Sequence, residues 1–87
     1  MEAYLYILYS EKLNKFYVGS TPDIDRRVTE HNRGKEKFTK TGQPWELKYM
    51  EVFTELIDAR RREQFIKRKR AEYLLRLSLT QDRTSRF

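Results

Sequence analysis

YLYILYSEKLNKFYVG, residues 4–19, is the stretch on which the fold turns. Two apolar, tyrosine-rich runs flank the polar break SEKLN, which is the size of a hairpin connection. Residues 4–9 and 15–19 are rich in Tyr, Phe, Ile and Val, the residues that suit a pleated, half-buried surface. The two runs are therefore expected to pair antiparallel. With Tyr6 set opposite Tyr17, Tyr4 falls opposite Gly19, and the alternation of side chains puts all four on one face. Sequence does not fix this register, and a slip of one residue would break the arrangement. The tyrosines pose a question of their own. Val and Ile would fill a core without a hydroxyl, whereas each buried tyrosine must find its hydroxyl a partner. Either several of these tyrosines are exposed, or their hydroxyls are used.

Beyond this hairpin, Thr21-Pro22 reads as a helix start, with Thr21 as the cap, Pro22 in the first turn and Asp23 favouring the same end. The helix is expected over 22–33, with a C-terminal stop at Gly34. GKEKFTKTGQP, residues 34–44, is a basic, glycine-bearing loop. A third strand is expected over 46–53 and a second helix over 55–69, continuing or restarting through AEYLLRL. The pattern predicts an α/β (α+β) chain, a single small domain over 1–78 with a three-stranded antiparallel sheet flanked by helices. Residues 79–87 have little to bury and form a tail expected to fray.

The 87-residue length allows one domain with a thin core. The chain has no cysteine, so a disulfide, a thiolate nucleophile and a Cys-based zinc site are excluded. MEAYLYILYS lacks the basic start and long apolar run of a signal peptide, and no later stretch is long enough to span a membrane, so a cytoplasmic location is expected. The net charge of +6 points first to nucleic acid as partner. That charge is focused: between positions 60 and 70 seven Lys and Arg residues surround the single acid Glu63, a net +6 equal to that of the whole chain. A solvated helical face is the bland explanation of a charge run, but it suits mixed-sign runs better than one this one-sided. Contact with a phosphate backbone suits it well.

Three polar residues sit where helical spacing calls for apolar ones. Ile24, Val28 and His31 form a core-facing stripe, and Arg27 lies on it too. A core-directed arginine is costly unless it snorkels or meets an anion. His31 alone fits a satisfied structural histidine, but one turn from Arg27 and beside the tyrosine sheet the two look like a site. On the second helix Leu56, Ala59 and Ile66 form a stripe completed by Glu63. Glu63 is either the internal partner of Arg27 or a hard oxygen ligand for a divalent cation, and helical spacing leaves both open.

In this order, the residues resemble the GIY-YIG nuclease domain in its small stand-alone bacterial form. YLY at 4–6 stands where the first motif falls and YVG at 17–19 is the second. DIDRRVTEHNRG is similar to the family's helix, which carries an arginine and a His or Tyr one turn later. KFTKTGQPWELKYMEVF and ARRREQFIKRKR resemble its loop, third strand and glutamate helix. Two positions depart from the pattern: Tyr4 stands in place of the first motif's glycine, and no asparagine follows Glu63.

The resemblance covers residues 3 to about 70 and implies a catalytic set of Tyr6, Tyr17, Gly19, Arg27, His31 and Glu63. It implies hydrolysis of phosphodiester bonds in DNA, with RNA second, in DNA repair or processing, assisted by one Mg2+ or Mn2+ on Glu63. Arg27 would stabilise charge on the phosphate, and a deprotonated water would attack. A tyrosine with an ordinary pKa of about 10 is about 0.1% ionised at pH 7, so a tyrosine base needs a nearby cation, whereas a histidine near 6.5 does not. The family pattern favours Tyr17 as base, with Tyr6 and His31 orienting. Lys37, Lys40, Arg60, Arg61, Lys67 and Arg70 are the expected nucleic-acid contacts. A partner protein is the expected source of substrate choice, because larger members use extra domains for that purpose. Two rivals stand beside this reading: a catalytically silent nucleic-acid-binding module, and a structural or protein-binding domain whose charge serves solubility.

Overall fold

The computed structural model describes residues 2–35 and 39–80. Strands β1 (Ala3–Ser10) and β2 (Lys15–Thr21) are followed by helix α1 (Ile24–Asn32), strand β3 (Trp45–Phe53) and helices α2 (Leu56–Lys67) and α3 (Ala71–Thr80). The sheet is antiparallel with the order β2-β1-β3. The central place of β1 explains its nearly unbroken apolar run, because its side chains are covered on both sides. Leu5 and Ile7 join Val18, Tyr49, Ile66 and Leu74 on the face that α2 and α3 cover. Tyr6 and Leu8 join Trp45 on the face where Ile24 and Val28 of α1 pack.

The expected three-stranded fold is the one observed, with three local differences. Tyr6 lies opposite Gly19 and Tyr4 opposite Thr21, so the pairing is offset by two residues from the one expected. An offset of two conserves the face, and Tyr4, Tyr6, Tyr17 and Gly19 still share one side of the sheet. Strand β2 also runs two residues further than expected, through Thr21. Thr21 therefore cannot cap α1. Asp23 does so, its carboxylate accepting from the Arg26 N–H at 3.2 Å, while the Thr21 hydroxyl accepts from the Asp23 N–H at 3.1 Å and sets the turn. Pro22 stands in that turn, before the helix. At the other end Gly34 has φ +75°, the left-handed conformation of a helix stop.

The third difference lies in β3. Ile7 pairs with Tyr49 but Leu8 pairs with Leu47, which leaves Lys48 as an extra residue, a β-bulge. Tyr49 consequently joins the core under α2 and α3, while Leu47 and Trp45 join the core under α1. Asn32, the last residue of α1, grips the start of β3 by accepting from the Trp45 N–H at 2.6 Å and donating to its carbonyl at 3.1 Å. The helical segment after Thr54 restarts rather than continues. Arg68 caps α2, and α3 turns back so that Leu74 reaches the core. Residues 81–87, most of the expected tail, lie outside the described residues. No helix among the described residues is long and apolar enough to cross a membrane.

Candidate active site

Gly19 and Ser20 are neighbours on β2, so their side-chain positions face opposite sides of the sheet. Gly19 faces α1. A Cβ built on it would lie 2.4 Å from the Tyr6 hydroxyl and 2.6 Å from Cζ, so the Tyr6 ring crosses β2 where only a glycine leaves room. The ring is buried, and its hydroxyl accepts from Arg27 Nε at 3.4 Å and meets His31 Nε2 at 2.9 Å. His31 Nδ1 lies 2.8 Å from Thr39 Oγ1, and the Thr39 carbonyl accepts from the Trp45 indole at 2.7 Å. An imidazole protonated on Nδ1 satisfies both of these contacts, accepting from Tyr6 and donating to Thr39. The result is a buried run of hydrogen bonds, Arg27 to Tyr6 to His31 to Thr39. The edge of the Tyr17 ring rests on His31, with centroids 4.8 Å apart.

Burial pushes the Tyr6 hydroxyl's pKa well above the ordinary tyrosine value, the Arg27 N–H offsets part of that rise, and Tyr17 and the Glu63 charge add to it. Tyr6 is therefore a neutral hydroxyl that positions its neighbours. Arg27 is partly exposed, and its guanidinium pairs with Glu30 at 3.1 Å. Arg26 pairs with the other oxygen of Glu30 at 3.1 Å. Hydrogen bonding from Arg27, then from Arg26, holds the Glu30 carboxyl below the usual carboxylate range. Among the described residues, Glu30, one turn away on the same helix, is a carboxylate that compensates Arg27.

Ser20 faces the other side, where Glu63 of α2 approaches. The Ser20 hydroxyl donates to Glu63 Oε1 at 2.5 Å, and Lys67 Nζ lies 2.7 Å from Oε2. Glu63 and Tyr6 thus reach the same end of β2 from opposite faces. A cleft of about 330 Å3 opens there, with Ser20, Thr21, Arg27 and Glu30 on its walls together with Arg60 from α2. A larger hollow of about 650 Å3, between Tyr9, Phe16, Leu74 and Leu75, is lined by none of Tyr6, Arg27, His31 and Glu63.

Of the expected nucleic-acid contacts, Arg60 lines the cleft, Lys67 lies against Glu63, and Lys40, Arg61 and Arg70 are exposed. Arg61 sits 3.7 Å from Asp58. Lys37 lies outside the described residues. Arg62, counted in the basic run, turns the other way: its guanidinium is forked onto Glu51 of β3, with Nε at 3.0 Å and NH2 at 3.0 Å, and it stacks over Phe65. Sequence reasoning missed Ser20, Glu30 and Thr39. The first two carried a signal, Ser20 by adjoining the YVG motif and Glu30 by lying three residues after Arg27. Thr39 sits in a loop whose sequence has no period to read.

Residues 2–74 match the family model described as the GIY-YIG catalytic domain. The chain is similar to a UPF0213 protein of Staphylococcus haemolyticus, 43% identical over 65 residues that cover 74% of this chain and 78% of that one. A UPF0213 protein of Streptococcus agalactiae is 38% identical over 68 residues, covering 77% and 76%. The solution NMR structure of a UPF0213 protein from Bacillus halodurans superposes with a TM-score of 0.59 at 29% identity, covering 97% of this chain and 89% of that one.

Proposed function

The chain belongs to the GIY-YIG catalytic-domain family, and from that premise we propose that it is an endonuclease hydrolysing phosphodiester bonds with the help of one divalent ion. DNA is the first expected substrate and RNA the second, with a role in repair or processing. One observation carries this reading: the buried run through Arg27, Tyr6 and His31 and the Glu63 carboxylate converge on one end of β2. The cleft beside them, where Arg26, Arg27 and Arg60 outnumber Asp23 and Glu30, supplies a place for a phosphate.

Among the described residues no three His, Asp or Glu side chains gather into a cage for a metal. The donor chemistry fits a looser mode, in which Mg2+ or Mn2+ is held through one or two carboxylates with waters and phosphate oxygens. Glu63 is the carboxylate that would hold it, and one of its oxygens already attracts the Lys67 ammonium. When bound, such an ion supplies a Lewis acid for the phosphate and its leaving oxygen.

The remaining work falls to side chains. Arg27 exchanges Glu30 for a phosphate and stabilises the charge that builds on it, a task for which a planar guanidinium is suited. Tyr6 fixes Arg27 from behind. His31 is fully buried with both ring nitrogens engaged, which suits an orienting role better than proton removal from water. Tyr17 is only partly buried and lies against His31, so it is the better placed of the two to take that proton. A binding-only role is favoured by one observation, that Arg27 and Glu63 are already compensated by Glu30 and Lys67. A panel of structured and single-stranded DNA and RNA substrates, with and without Mg2+ or Mn2+, separates the two. Metal-dependent cutting that Tyr17→Phe abolishes is the expected result, and salt-sensitive binding without cutting leaves the binding role.

A further inference from the structure

The two oxygens of Glu63 have partners of different character. Oε1 accepts from Ser20, whose backbone is fixed in β2 beside Gly19. Oε2 is met by Lys67, an ammonium on a flexible four-carbon stem at the last position of α2, half exposed to solvent. One oxygen is thus held by a rigid neutral donor and the other by a mobile cation. Lys67 lies four residues after Glu63, the spacing and order in which a helical Glu–Lys pair forms most readily. Such a pair is weak when exposed, so it forms and opens easily.

We propose that Lys67 is the resident counter-cation of the metal site. It occupies Glu63 Oε2 while no ion is bound and gives way to a divalent ion, as Ser20 keeps the carboxylate aimed through Oε1. This rests on the reading of Glu63 as the metal ligand. Two cations cannot share one carboxylate oxygen without strong repulsion, so the ion binds only as the ammonium leaves. The ion wins because its charge is double and it takes several oxygen ligands, whereas the ammonium only donates hydrogen bonds. The displaced Lys67 then extends into solvent on the most basic segment of the chain, where a nucleic-acid phosphate is its natural partner. Metal affinity is held down by an internal rival rather than by poor ligand geometry.

The test is Mn2+ binding to the full chain at low ionic strength, read from the electron paramagnetic resonance amplitude of the free aquo ion. Parent, Lys67→Met, Arg70→Met, Ser20→Ala and Glu63→Gln are compared, with circular dichroism to show that each is folded. Methionine keeps the length of the lysine stem and removes only the charge. Lys67→Met should bind Mn2+ about two- to fivefold tighter, the range set by the loss of one exposed ion pair. Arg70→Met removes a charge three residues away and should change affinity less than Lys67→Met does. Ser20→Ala should bind more weakly than the parent, and Glu63→Gln should lose the site. If Lys67→Met binds no tighter than the parent, or Arg70→Met tightens binding equally, the inference is overturned, and loss of the site in Glu63→Gln then keeps Glu63 as ligand. If Glu63→Gln binds as the parent does, the metal-ligand reading itself falls, and the role of Lys67 with it.

Discussion

Replacing Gly19 with alanine tests the site at its tightest point. The added methyl carbon would start 2.4 Å from the Tyr6 hydroxyl oxygen, about 1 Å inside ordinary contact. Tyr6 is 1% exposed, so the ring has little free space to take. Overpacking of this kind costs about 1–3 kcal/mol. The hydroxyl must also retreat by about the same 1 Å, and its 3.4 Å contact with Arg27 is too long to survive that shift. A displacement of about 1 Å in a positioned group can cost about 100-fold in rate. Gly19→Ala should therefore lose about 1–3 kcal/mol in urea unfolding and about 10- to 100-fold in metal-dependent cleavage. Ile7→Val is the control: it lies on the other face of β1 and should lose about 0.5–1.5 kcal/mol yet cut at the parent rate well below its melting temperature. A Gly19→Ala protein as stable and as active as the parent would refute the account of Tyr6 crossing β2. Equal loss of cleavage in both variants would show that activity follows stability alone.

Glu63→Gln should abolish cleavage while keeping or strengthening nucleic-acid binding, because it removes the carboxylate and the only acid in the most basic segment; a folded variant that cuts at the parent rate rules Glu63 out as ligand. Binding to duplex DNA should weaken steeply with salt, with a log–log slope of about −3.6 for about four neutralised phosphates, flattened by joint Ala replacement of Arg60, Arg61 and Lys67. Arg62→Met should leave that slope nearly unchanged and instead cost about 1 kcal/mol in thermal or urea unfolding, since its charge is committed to Glu51. The Glu30 carboxyl titrates below its ordinary 4.5 in the folded state, so its contribution to stability is full above that pH and is lost as pH falls through the folded value. Glu30→Gln should flatten the acid limb of a stability–pH curve below 4.5, and an unchanged limb would mean that the pairing with Arg27 and Arg26 does not persist in solution.

Features that depend on side-chain period were legible in the sequence, and features that depend on tertiary partners were not. The tyrosine face survived a two-residue error in register because a strand repeats every two residues. His31 and Val28 could be placed by helical spacing, and His31 is buried with its ring bonded to Tyr6 and Thr39. Thr21 looked like a cap because a hydroxyl before proline is a local signal, but pairing with Tyr4 kept it in the strand. The basic run read as one-sided because Glu51, which holds Arg62, is distant in sequence. Arg27 and Glu63 were both flagged as misfits, and the open question was whether they met each other. They did not need to, since each found a partner on its own helix, Glu30 and Lys67.

The extra residue at Lys48 decides which core each half of β3 serves. Trp45, Leu47 and Tyr49 are all odd-numbered, and an uninterrupted strand would point them to one side. Pressing Lys48 into regular pairing would leave Tyr49 in its core and swing Leu47 and Trp45 toward it, stripping the lining beneath Tyr17 and the indole that holds Thr39. The Asn32 clasp on Trp45 would have to break or drag α1 with it. Losing the Lys48 codon, by contrast, makes Leu47 the neighbour of Tyr49 and keeps the two on opposite faces, whereas losing the Glu46 codon makes Trp45 the neighbour of Leu47 and turns the indole away from Thr39. When relatives are aligned through this strand, a one-residue gap at Lys48 conserves the facing of both halves and the same gap at Glu46 does not, so the two should be weighed differently.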